Sequence, residues 1–146
     1  MIKIAFTGVA LVIGSLQATA AYTAAQRTLI DQIETHLEET GYHPKRVEYG
    51  LRFTSDDRTY FIEISEEASN PFLVRVCEYI PYGTALSREN IVAQLNDLNQ
   101  EPLQKTIAKD NNVVIISETW ADNAKEFNAA FPVLLDAVKY NASQFH

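Results

Sequence analysis

Between Ala24 and Thr40 the apolar residues Leu29, Ile30, Ile33 and Leu37 recur at helical spacing, while Asp31, Gln32, Glu34, Glu38 and Glu39 take the opposite side. This spacing predicts an amphipathic first helix. Gly41 suits the positive φ that ends a helix, and Pro44 prevents its continuation. The period then changes to two. Val47, Tyr49, Leu51 and Phe53 alternate with Glu48, Gly50 and Arg52, which predicts one strand carrying those four apolar side chains on a single face. After a polar turn from Thr54 to Arg58, a second strand alternates Tyr60, Ile62 and Ile64 against Thr59, Phe61 and Glu63. A loop from Ser65 to Pro71 leads to a third strand, apolar on nearly both faces. Phe72, Val74, Val76 and Ile80 fall on one and Leu73, Cys77 and Tyr79 on the other, so it is expected to be covered twice or to lie at an interface.

Ser87 caps a second predicted helix with Ile91, Val92, Leu95 and Leu98 as its stripe, ending near Asn99 and Gln100. Leu103 to Lys109 and Val113 to Trp120 read as a hairpin around Asp110, Asn111 and Asn112. In the last helix Phe127, Phe131, Leu134 and Val138 repeat at four, three and four residues, with Asp122 or Asn123 as its cap. Pro132 interrupts this pattern, and an interior proline costs about 3 kcal/mol, so a kink or a new helix near Phe131 is expected. The predicted class is α+β: an antiparallel sheet of about five strands in the order α-β-β-β-α-β-β-α, with helices mainly on one face.

The N-terminus has its own pattern. Lys3 precedes an apolar run from Ile4 to Leu16, and Gln17-Ala18-Thr19-Ala20 supplies the small residues of a signal-peptidase site. The run is shorter than the roughly 20 apolar residues of a bilayer span and has no basic stop. Residues 1–20 are therefore expected to be a signal peptide cut after Ala20, and residues 21–146 a single exported domain, periplasmic or secreted, with no membrane span after cleavage. Loss of Lys3 takes the formal charge of the 146-residue chain from -7 to -8.

Twelve Lys and Arg against nineteen Asp and Glu leave no basic footprint for phosphates, which argues against nucleic acid as a partner. The single Cys77 excludes an internal disulfide framework and lies in an apolar run, where burial is expected. His36, His43 and His146 have no metal-ligand spacing, and the acidic pairs Asp56-Asp57 and Glu66-Glu67 lack the spacing of a calcium loop, so no metal or cofactor is expected. No nucleophile elbow and no glycine-rich phosphate loop occurs in the sequence. Asn141-Ala142-Ser143 matches a glycosylation pattern that is frequent by chance.

The element order resembles that of the YbjN-type sensory-transduction regulator family. So do Leu95-Asn96-Asp97-Leu98-Asn99 and the hairpin Lys105-Thr106-Ile107-Ala108-Lys109-Asp110-Asn111-Asn112-Val113-Val114. The resemblance spans roughly Thr28 to Tyr140. It implies the fold of type III secretion chaperones, frequent dimerisation, and protein or peptide binding without chemistry; it carries no functional residues with it. Secretion chaperones act in the cytoplasm, whereas the leader here predicts export.

Fifteen aromatic residues are the compositional feature that bears on function. Most must be core. By alternation, Arg52, Phe61, Arg75, Cys77 and Tyr79 share the sheet face opposite the helices, and Arg52, Phe61, Arg75 and Tyr79 are the candidate binding residues. The expected function is non-enzymatic capture of a peptide, protein segment or apolar ligand on a sheet face or edge, with a homodimer expected. The alternative is a small cone-shaped α+β enzyme or ligand carrier with an enclosed pocket.

Overall fold

Thr23 opens the first helix through a reciprocal cap. Its hydroxyl accepts from the Gln26 amide at 3.2 Å while the Gln26 side chain accepts from the Thr23 amide at 2.7 Å. The computed structural model describes residues 22–66, 70–81, 104–109 and 111–145. The expected leader and the helix expected after Ser87 lie outside the described residues.

Helix α1 (Ala24–Glu39) buries Leu29, Ile30, Ile33 and Leu37, the stripe read from the sequence. It ends in a Schellman arrangement: the Gly41 amide donates to Glu38 at 3.1 Å, the Tyr42 amide to Leu37 at 2.9 Å, and Gly41 has φ +90°. Gln26 is fully buried, and its Nε2 donates to the Ser65 carbonyl at 2.8 Å, tying the helix start to the chain beyond the third strand.

Among the described residues six antiparallel strands follow: β1 (Lys45–Val47), β2 (Gly50–Ser55), β3 (Arg58–Ile64), β4 (Phe72–Pro81), β5 (Gln104–Lys109) and β6 (Asn112–Ala121). Their order in the sheet is β1-β2-β3-β4-β6-β5. The sixth strand arises because the single strand expected from Val47 to Phe53 does not form. The chain reverses at Glu48 and Tyr49, and Val47 pairs with Gly50. Gly50 permits this at φ +147°, where a Cβ would lie 1.9 Å from the Ile62 carbonyl oxygen. Val47 thus shares a face with Gly50 rather than with Leu51 and Phe53, and Tyr49 is half exposed in the turn. Between β2 and β3, Asp56 and Asp57 have φ of 51° and 59°, the two positive values of a type I′ hairpin turn.

Helix α2 (Ala124–Ala142) starts at Asn123, whose side chain accepts from the Glu126 amide at 3.1 Å. It runs through Pro132 as one helix, so the restart expected near Phe131 does not occur. Pro132 is exposed, and the turns on either side are held by buried Phe127, Phe131, Leu134 and Leu135, whose burial, about 1.5–3 kcal/mol each, offsets the lost hydrogen bond. Asn141 is fully buried within this helix, so its sequon match is not an accessible acceptor.

Helix α2 packs on β4 and β6, and α1 packs on α2 and β2. Both meet the face formed by Leu51, Phe53, Tyr60, Ile62, Val74, Val76, Val113 and Ile115. At its centre Phe53 stacks on Tyr60 at 5.6 Å and meets Tyr42 and Phe131 edge-on at 5.3 and 5.7 Å. The class is therefore α+β, with an antiparallel sheet and two described helices on one face.

Candidate binding face

The strand register assigns the opposite face, turned away from α1 and α2. One row across it runs Arg52, Phe61, Cys77, Ile116 and Lys105; the next runs Val47, Gly50, Glu63, Arg75 and Glu118; Tyr79, Val114 and Ile107 form a third. All four residues singled out from the sequence, Arg52, Phe61, Arg75 and Tyr79, lie on this face.

The face divides into two chemically different parts. Toward β6 and β5, Arg75 Nε donates to Glu118 at 3.1 Å, and Lys105 bonds the other oxygen of the same carboxylate. Burial acts to raise the Glu118 pKa, but the two cations outweigh it and hold the carboxyl below its ordinary range. Arg75 is thereby occupied. Cys77 is buried beside this network, and burial first, then Glu63, pushes its thiol well above the ordinary value, so it is protonated and unreactive.

Toward β1 lies an open cleft of about 270 Å³, lined by Val47, Glu48, Tyr49, Phe61, Glu63 and Tyr79. Phe61 and Tyr79 meet edge to face with centroids 5.2 Å apart. The Tyr79 hydroxyl donates to Glu63 Oε1 at 2.6 Å, and burial together with this carboxylate raises the phenol pKa far above its ordinary value. Register explains the opening: Gly50 sits between Val47 and Glu63 in their row and contributes no side chain to it. Phe61 and Tyr79 thus come together as read from the sequence, whereas Arg52 and Arg75 do not line the cleft.

No protein-family model matches this chain, and no curated protein does.

Sequence reasoning missed Val47, Glu48, Tyr49 and Glu63 as lining residues. It placed Val47 and Tyr49 on the core face by running one alternation through the turn. The signal was Gly50 in a strand interior, a position that marks a bulge or bend.

Other polar groups have structural roles. Asp56 and Asp57 make the β2–β3 turn, and Lys139 of α2 reaches Asp56 at 2.7 Å and Ser55 at 2.8 Å. His36 lies in α1 and His43 in the connection after it, with φ 48°. Among the described residues no three His, Cys, Asp or Glu side chains converge as a metal site, and no helix is long and apolar enough to cross a membrane.

Proposed function

We propose that this chain is an exported, non-enzymatic binding domain of YbjN type, acting as a homodimer and holding a peptide or protein segment on the sheet face away from α1 and α2. The observation that supports this most directly is the aromatic cleft of Tyr49, Phe61 and Tyr79, open to solvent at the β1 end of the sheet. Tyr49 is half exposed and Phe61 and Tyr79 are partly buried, and such aromatic side chains on an antiparallel platform supply contact area at low entropic cost. The adjoining Arg75, Glu118 and Lys105 network supplies a polar flank. A peptide lying across the face meets an apolar anchor at one end and charge at the other.

Selection of displayed random peptides against the full chain tests this. Enriched peptides are expected to lose roughly tenfold or more in affinity on Phe61→Ala or Tyr79→Ala, the size typical of anchor residues, and little on Tyr140→Ala, exposed on α2 away from this face. Peptides insensitive to both cleft variants, or turned over by the protein, contradict the proposal.

A further inference from the structure

Charge and aromaticity at this cleft specify its ligand more narrowly. Three of its six lining residues are aromatic, Tyr49, Phe61 and Tyr79, and two are carboxylates, Glu48 and Glu63. Aromatic ring faces attract ammonium and guanidinium groups, and a carboxylate beside them adds a counter-charge. Glu63 is oriented for this by the Tyr79 hydroxyl on Oε1, and among the described residues no other hydrogen bond reaches its carboxylate. Val47 offers an alkyl wall against which the methylene stem of a long cationic side chain packs.

The neighbouring cations do not fill the cleft. Arg46 is held by Asp31 and Glu34, both at 2.5 Å, and Arg75 by Glu118 at 3.1 Å. Lys45 and Arg52 lie opposite each other in the β1–β2 register, one row removed, where the two like charges repel, and neither lines the cleft. The cleft's carboxylates act on their surroundings: after burial, Glu63 and Glu66 are the largest influences pushing the nearby Tyr22 phenol up to about 12, with Tyr49 and Glu48 adding to them. The whole chain carries a formal charge of -7.

We propose that the cleft between the β1–β2 turn and the Phe61 and Tyr79 rings takes the cationic end of a lysine or arginine side chain from a basic peptide segment. This rests on the binding role proposed above and narrows it to one ligand chemistry.

The test uses the full chain and blocked pentapeptides with a central lysine, arginine, norleucine or glutamate flanked by glycine and serine, titrated calorimetrically. The lysine and arginine peptides are expected to bind roughly tenfold tighter than norleucine, as a cation–π contact plus an exposed ion pair implies. Their advantage is expected to shrink as salt rises. Glu63→Gln, which keeps an acceptor for Tyr79, and Glu48→Gln at an exposed turn position are each expected to remove much of that advantage, bringing lysine and norleucine peptides close together. Equal binding of lysine and norleucine peptides overturns the cation inference while leaving the binding face intact. Tetramethylammonium bound as tightly as the lysine peptide overturns the peptide occupant in favour of a free organic cation. No binding by any pentapeptide, with selected peptides insensitive to Phe61→Ala, overturns both proposals.

Discussion

Glu78 lies on the core side of β4, only 5% exposed, and both its oxygens accept from Arg58, Nε at 2.8 Å and Nη2 at 2.7 Å. The guanidinium fork matches the carboxylate and offsets much of the cost of burying it. Arg58→Met is therefore expected to lower the unfolding free energy by about 3 kcal/mol, since it removes the bidentate partner of a buried charge. Adding Glu78→Leu to that variant is expected to recover most of the loss. Urea denaturation of the single and double variants measures both.

Next to this pair, the Tyr60 hydroxyl is buried with no hydrogen-bond partner among the described residues, while its ring stacks on Phe53. Tyr60→Phe keeps the stack and deletes the unpaired hydroxyl. Stability is expected to stay level or rise by up to about 1 kcal/mol. A loss of more than that in thermal or urea unfolding contradicts this reading of the site.

Gly50 and Gly41 both have positive φ but differ in surroundings. A Cβ at Gly50 meets the Ile62 carbonyl at 1.9 Å, whereas at Gly41 nothing lies within 4 Å. Gly41→Ala is expected to cost about 1 kcal/mol through backbone strain alone, and Gly50→Ala about 2–4 kcal/mol because the β1–β2 turn must shift as well. Gly50→Ala also disturbs the cleft beside it, so peptide affinity falls with stability, while Gly41→Ala leaves affinity unchanged.

The buried phenols predict a stability loss on the alkaline side. Burial raises Tyr60 from 10.0 to about 12, and burial with nearby carboxylates raises Tyr22 to about the same value. Below pH 10 both states are protonated and this contribution is whole. Above it the unfolded chain releases the protons first, so stability declines as pH rises from about 10 through about 12. Absorbance titration at alkaline pH, with urea midpoints in parallel, is expected to show late-ionising tyrosines and falling midpoints over that window. Tyr60→Phe shallows the fall.

Alternation was legible in the sequence wherever the chain ran straight. It placed Phe61 and Tyr79 together opposite the helices because β3 and β4 pair through their centres without a bulge. The first helix was legible because its stripe, its Gly41 stop and Pro44 agree. The β1–β2 turn was not, because Val47, Tyr49, Leu51 and Phe53 keep their spelling through it while the pairing of Val47 with Gly50 reverses parity. At Pro132 the restart expected near Phe131 does not occur, because the flanking core contacts hold the helix through it. The Arg58–Glu78 pair, on different strands, leaves no periodic trace at all.

Amide chemical-shift mapping of the isotopically labelled chain, titrated with a peptide selected against it, tests the binding face most directly. The largest shifts are expected to cluster at Val47 to Gly50, Phe61 to Glu63 and Tyr79. Shifts centred instead on Leu29, Gln32, Asn70 and Phe72, which line a second cleft beside α1, contradict it.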